Sequence, residues 1–215
     1  MKTYYVINIG RQLGSGGQRV GELLAERLGI RLYDKELINL AARESGLCNE
    51  VFETADEKRS HTFLSTLIGY LRGPWASDAG RVDSVLSGDA LFQIQSDVIR
   101  QVAARESALF VGRCADYILR DHPRMLNVFI TGDEQDRIRR IRERHGCTEE
   151  EARRRMVRGD GQRARYYNFY SPHTWGDAST YHLCVNSSAL GLEGTADLIY
   201  RVAVQKLGLD PAPER

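Results

Sequence analysis

A short apolar run, Tyr4-Tyr5-Val6-Ile7-Asn8-Ile9, leads into Gly10-Arg11-Gln12-Leu13-Gly14-Ser15-Gly16-Gly17, and a helical pattern follows at once. Glycines in such a loop leave backbone N–H groups free to converge on an anion, with no side chain in the way. The positive end of the following helix adds to the attraction. Gly14, Ser15, Gly16, Gly17 and Gln18 are therefore candidate phosphate ligands, and a bare tight turn is the plain alternative. The common phosphate loop reads G-x-x-x-x-G-K-[ST], with the lysine on the outer phosphates and the hydroxyl on magnesium. Aligned on Gly16, the lysine position holds Gly17 and the hydroxyl position Gln18, and no lysine is near. Arg11 and Arg19 are the nearest residues able to supply the missing charge.

A second concentration of charge lies far along the chain. Between Arg137 and Arg165 eleven arginines face five acids, whereas the whole sequence has only four lysines. Guanidinium is permanently charged and forked for two-point contact with phosphate oxygens, which suits the charge stabilisation that phosphoryl transfer needs. Arg158, Gln162 and Arg165 recur at i, i+4, i+7 on one helical face, and Asp160 and Arg163 stand close enough to brace each other. Arg158, Arg163 and Arg165 are the candidate catalytic residues, in a segment able to close over a nucleotide and exclude water. Arg153, Arg154 and Arg155 read instead as a solvated face paired with Glu149, Glu150 and Glu151. Arginines interleaved with tyrosines also suit RNA, but the glycine loop ranks a nucleotide above a nucleic acid. His145, His173 and His182 show no metal-ligand spacing, and no residue is assigned to a metal. Trp75 and Trp175 fall in loops, where each stacks on a base or packs beneath the loop.

These groups need a frame. Residues 4–9, 31–34, 108–111, 126–130 and 183–186 read as buried strands, with helical patterns over 18–28, 90–105, 133–145 and 192–207. Strands alternating with helices give an α/β fold, a doubly wound parallel five-stranded sheet. Thr148-Glu149-Glu150-Glu151 is a capping box that opens the arginine-rich helix. Residues 46–90 break the alternation and read as a helical insertion with a polar stretch near 72–89. The formal net charge is +1, which excludes a broadly polyanion-seeking protein. No stretch approaches the ~20 apolar residues of a membrane helix. Cys48, Cys114, Cys147 and Cys184 are widely spaced, as reduced thiols of a cytoplasmic protein would be.

Gly10 to Gly17, Tyr33-Asp34-Lys35-Glu36-Leu37-Ile38, Val111-Gly112-Arg113-Cys114-Ala115-Asp116 and Arg163-Ala164-Arg165-Tyr166-Tyr167-Asn168 occur in an order that resembles the cytidylate kinase-like family, a branch of the nucleoside monophosphate kinases. The resemblance implies a phosphate-loop kinase fold and an ATP- and Mg²⁺-dependent transfer to a nucleoside monophosphate such as CMP or dCMP. It divides the chain into a first core part (1–36), an acceptor-binding insertion (37–90), a second core part (91–146), a lid (147–180) and a C-terminal strand and helix (181–215). On that resemblance Gly14 to Arg19 hold ATP phosphates, Asp34 and Arg113 contact the acceptor, and Arg158, Arg163 and Arg165 bridge donor and acceptor. Cys114 stands where the family's aspartate follows the arginine, and Asp116 is the substitute two residues later. A nucleotide-binding switch with little turnover, or a kinase for another small acceptor, are the alternatives.

Overall fold

The computed structural model describes residues 4–35, 38 and 88–210. The chain divides into two compact units, one of residues 1–35 and 99–215 and one of residues 36–98. In the first, β1 (Val6–Arg11) is followed by α1 (Gly17–Leu28) and β2 (Arg31–Tyr33). The helix α2 (Gly88–Arg105) leads to β3 (Ala108–Val111) and the short α3 (Ala115–Ile118). Next come β4 (Met125–Thr131), α4 (Glu134–His145) and α5 (Glu149–Tyr170). A 3-10 turn at Ala178–Thr180, β5 (Leu183–Asn186) and α6 (Ser187–Leu207) complete the chain. In the second unit the described residues are Ile38 and the first turns of α2, where Ile94, Gln95, Ser96 and Val98 are buried. The expected insertion over 37–90, with its polar stretch and Trp75, lies outside the described residues apart from Ile38 and positions 88–90.

All five strands are parallel, in the order β2-β3-β1-β4-β5. The central strands are apolar on both faces, as a sheet covered by helices on both sides requires. Ile7, Ile9, Leu109, Val111, Leu126, Val128 and Ile130 form one core with Val20, Leu24 and Ala25 of α1 and Ala196, Ile199 and Ala203 of α6. Asn8 and Asn127 face each other across β1 and β4, and Asn8 Nδ2 donates to Asn127 Oδ1 at 2.8 Å. A one-residue slip would separate these buried amides, so the pair pins the register. β1 runs two residues further than its apolar stretch, because Gly10 and Arg11 still pair with Phe129 and Ile130.

Because β1 is central and the chain winds outward from it on both sides, the strand order reverses there. Ligands of such sheets sit outside the carboxyl ends of the strands at that reversal. Arg11, Asp34, Gly112 and Gly132 all follow or end their strands at this edge. A smaller core lies above it, where Ile138, Ile141, Ala152 and Met156 of α4 and α5 enclose Leu13 and Cys147. Thr148 and Glu151 exchange the two bonds of the capping box at the start of α5. That helix runs unbroken through the tyrosines to Tyr170. The last helix begins at Ser187, capped by Asn186, and is interrupted at Gly191, whose φ is 69°. Among the described residues no helix is long and apolar enough to cross a membrane.

Candidate functional site

The glycine loop joins β1 to α1. Gly14 and Gly16 have φ of 79° and 77°, and a Cβ on Gly14 would lie 2.6 Å from the Arg137 carbonyl oxygen. Both positions therefore call for glycine on conformation, and Gly14 on space as well. Gly16 caps α1 with no side chain bonded to the helix end, and the first turn has no acidic residue. The opening N–H groups of that helix have no partner within it, which is the arrangement that receives an anion.

Below its ligand face the loop is gripped at nearly every residue. Gln12 N–H donates to the Ile130 carbonyl at 3.0 Å, and Gln12 Oε1 accepts from Gly132 N–H at 3.3 Å. Leu13 is held on both sides of its backbone. Its N–H donates to Asp160 Oδ1 at 2.7 Å, and its carbonyl accepts from Arg137 Nε at 2.8 Å. Arg137 and Asp160 also form an ion pair, with side chains only 8% and 18% exposed. Arg140 Nη1 reaches the Gly14 carbonyl at 3.2 Å, and Ser187 Oγ donates to the Ser15 carbonyl at 2.6 Å. The loop's shape is thus set before any ligand arrives.

On the open side, guanidinium groups converge. Arg163 Nη1 donates to the Arg11 carbonyl at 3.0 Å. Burial, with Arg163 and then Arg113 nearby, pushes the Arg11 guanidinium down to about 9, and Asp34 partly relieves it. Burial also lowers Arg163; Asp160 opposes that shift, and Arg137 and Arg144 add to it. Gln18 Nε2 donates to Asp34 Oδ2 at 3.4 Å. Arg113 lies over the Tyr166 ring, 5.1 Å from its centroid, and burial pushes that phenol up to about 12. Gly112, Arg113 and Cys114 have φ of 78°, 60° and 56°, three left-handed residues in a row. Such a turn is unfavourable for the two residues with side chains, and strain of this kind clusters at functional sites. It directs the backbone after β3 into α3, whose N-cap is Cys114.

Residues 6–189 match the cytidylate kinase-like family. The chain belongs to that family. Comparison with curated proteins finds no match. Among solved structures, an uncharacterized protein from Eubacterium ventriosum is 30% identical, with a TM-score of 0.70 over 93% of this chain and 98% of that one. TT1252 from Thermus thermophilus is 17% identical, with a TM-score of 0.51 over 95% and 98%. A shikimate kinase from Bacteroides thetaiotaomicron is 12% identical, with a TM-score of 0.50 over 92% and 97%. The last two share the fold.

In this cytidylate kinase-like chain the structure brings Arg11, Gln18, Asp34, Arg113 and Arg163 together beside Gly14, Ser15, Gly16 and Gly17. Arg19 instead pairs with Glu22 on the surface of α1 at 3.2 Å. Arg158 and Arg165 are exposed. The face expected to serve the site, 158/162/165, is thus not the one turned toward the loop. That face carries Ala152, Met156, Gly159, Asp160, Arg163 and Tyr167. Gly159 lies against the end of the Leu13 side chain, where a Cβ would come within 2.6 Å of Cδ2. Asp160 bonds Arg137 and Leu13, and its expected brace on Arg163 is electrostatic only. Asp116 accepts a 2.6 Å bond from the Tyr167 hydroxyl, and burial raises its carboxyl above the usual range. Of the expected surface pairs, Arg154–Glu150 forms at 2.8 Å and Arg153–Glu149 at 3.9 Å, while Arg153 bonds more closely to Glu134 of α4 and Glu151 serves the capping box. Trp175 packs edge-on against Phe129, with ring centroids 5.2 Å apart.

Sequence reasoning missed Arg137 and Arg140. The available signal was an arginine at the head of an apolar stripe, since Arg137 shares its helix face with Ile138 and Ile141. Among the described residues no three metal-ligating side chains cluster.

Proposed function

We propose that this protein is an ATP-dependent phosphotransferase acting on a nucleoside monophosphate, CMP or dCMP or a close relative. One observation carries the reading. Arg11, Arg113 and Arg163 converge beside a phosphate-binding loop, and Asp34 is the carboxylate that eases Arg11. A site that holds positive charge at that cost is completed by a polyanion, and two phosphorylated substrates meeting there supply one.

In this reading the N–H groups from Gly14 to Arg19 hold the ATP phosphates. Arg113 and Asp34 face the acceptor, with Arg113 fixed by its strained turn and by Tyr166. Arg163 reaches from α5 to the junction of the two substrates. The segment 147–180 acts as a lid whose exposed Arg158 and Arg165 meet phosphate when substrates fill the site. The positioned guanidiniums stabilise charge on the phosphoryl group in transit, which is most of what a protein contributes to this reaction. Position 18 offers an amide where a hydroxyl usually meets magnesium, and that amide is bonded to Asp34. Mg²⁺ would enter on the nucleotide phosphates and their water, with Asp34 the nearby carboxylate, and would neutralise part of the phosphate charge.

The glycine at position 17 favours a second reading, a nucleotide-binding switch with little turnover. Both are tested by ADP formation from ATP and Mg²⁺ with CMP, dCMP, UMP, AMP and GMP supplied singly, followed by small hydroxylated metabolites. Stimulation by a pyrimidine monophosphate supports the first reading, and stimulation by a hydroxylated metabolite replaces its acceptor. Silence with every acceptor, together with an ATP-induced rise in melting temperature, transfers the conclusion to the switch.

A further inference from the structure

Laid over Gly16, the phosphate-loop pattern puts its first glycine at position 11 and its lysine at position 17. This chain has the opposite residues, Arg11 and Gly17. The two departures are six positions apart in sequence, yet they are one feature in space. A Cβ on Gly17 would lie 2.7 Å from Arg11 Cβ and 3.0 Å from Arg11 Cγ. The Arg11 Cβ is fixed by the backbone, so no change of rotamer relieves the shorter of these contacts. Positions 11 and 17 therefore exclude each other's side chains in this backbone.

The Arg11 side chain starts beside Gly17 and ends over Gly112, where a Cβ would collide with its Nη1. Glycine at 17 makes room for the stem, and Gly112, held to glycine by its φ of 78°, lies under the guanidinium. The head comes to rest within electrostatic reach of Arg113, Arg163 and Asp34, between the loop and the residues proposed to face the acceptor. Its own carbonyl accepts from Arg163, so strand, loop and α5 fix its position together.

We propose that Arg11 carries the phosphate-contacting charge that the common loop places on a lysine at 17, the two positions having exchanged roles, and that its guanidinium touches the phosphoryl group in transfer. This rests on the kinase reading above and adds to it the residue that replaces the missing lysine. Arginine suits the new location better than lysine. From the end of β1 the charge lies close to two other guanidiniums, where an ammonium readily loses its proton and a guanidinium keeps it.

The exchange is tested by reversing it in the full-length protein. Wild type, Arg11→Gly, Arg11→Met, Gly17→Lys and the double variant Arg11→Gly/Gly17→Lys are compared for melting temperature, ATP affinity by calorimetry and turnover with the best acceptor. Arg11→Met keeps a stem beside Gly17 and removes only the charge, so it separates lost function from lost folding. Expected is a fall of about 10²–10³-fold in kcat for Arg11→Met and Arg11→Gly, as when a preorganised donor is removed. Gly17→Lys alone is expected to lose stability, through its collision with Arg11. The double variant should recover at least tenfold over Arg11→Gly in turnover and in ATP affinity. Arg11→Met within twofold of wild type, or a double variant no better than Arg11→Gly, overturns the exchange while leaving the kinase reading standing. Wild type that binds ATP without turnover fails the kinase reading alone, and ATP affinity across the same five proteins then decides the exchange. Wild type that binds no ATP overturns both.

Discussion

Asp160→Asn is the sharpest probe of how the loop is held. Asparagine keeps an oxygen for the Leu13 N–H, so the substitution isolates the charge. It leaves Arg137, 8% exposed, without its carboxylate. Removing one partner of a buried ion pair costs about 3–5 kcal/mol, because the survivor stays desolvated and unpaired. A surface pair loses ~1 kcal/mol or less, and Arg154–Glu150, 66% and 77% exposed, is an internal control of that kind. For a chain of this size each kcal/mol moves the melting temperature by about 2–4 °C. Asp160→Asn should therefore melt roughly 6–12 °C lower at the lower end of that range. Arg154→Ala should move it by less than about 2–4 °C, the most that a surface pair contributes. The double variant Arg137→Met/Asp160→Asn no longer buries Arg137 without its carboxylate and should melt above the single Asp160→Asn. Calorimetry and urea unfolding on these proteins, with the single Arg137→Met completing the cycle, give the coupling energy directly. A loss of under about 1 kcal/mol for Asp160→Asn, or a double variant less stable than the single, would refute the argument that a desolvated charge pair holds the loop.

Other outcomes follow from the same geometry. Gly14→Ala should abolish the ATP-induced thermal shift and lower stability, since its Cβ meets the Arg137 carbonyl at 2.6 Å and its φ is 79°. Arg163→Ala should lower kcat by about 2–4 kcal/mol of transition-state stabilisation, and Arg165→Ala by less; equal losses would restore the 158/162/165 face to the mechanism. Burial raises the Asp116 carboxyl, so its native state favours the proton. The stability this group contributes is present below the unfolded value of about 3.9 and is lost as pH rises through the higher native value. Asp116→Asn should therefore raise the melting temperature at pH 7 and make no difference near pH 3. Tyr167→Phe removes the hydroxyl bonded to Asp116 and should cost about 1–3 kcal/mol at neutral pH, a loss that Asp116→Asn reduces in the double variant.

The sheet was legible in the sequence because its strands are apolar on both faces and end at glycine or a polar residue. The glycine loop was legible because the chemistry of converging N–H groups demands glycine at particular places. The far side of the arginine-rich helix was not. Counting arginines by period picks the face with the most charge, whereas packing picks the face that buries Ala152, Met156 and Tyr167. Asp160 on Leu13, Arg163 on Arg11 and the apolar Ala152 and Met156 hold α5 against the loop. The turn at Arg113 and Cys114 gave no signal either, since neither residue type favours a left-handed conformation. The break at Gly191 looked like an ordinary helix start, because the apolar period resumes only at Leu192. Arg137 was hidden by its chemistry, since arginines are commonest on surfaces and this one is buried by a partner 23 residues away.

The grip on Leu13 also bears on which substitutions the family can accept. Arg137 and Asp160 hold a peptide group, and every residue except proline offers the same N–H and carbonyl. The side chain at position 13 is then constrained by the apolar space that Ile138, Ile141, Ala152 and Met156 form beside Gly159, and leucine, methionine or isoleucine should serve there. The two charged positions have no such latitude. A change at 137 exposes 160 to the full penalty of a buried lone charge, and the reverse holds as well. Drift at either site should therefore be survivable only when both change together, and homologous sequences should show 137 and 160 altering as a pair while 13 varies freely among apolar residues other than proline.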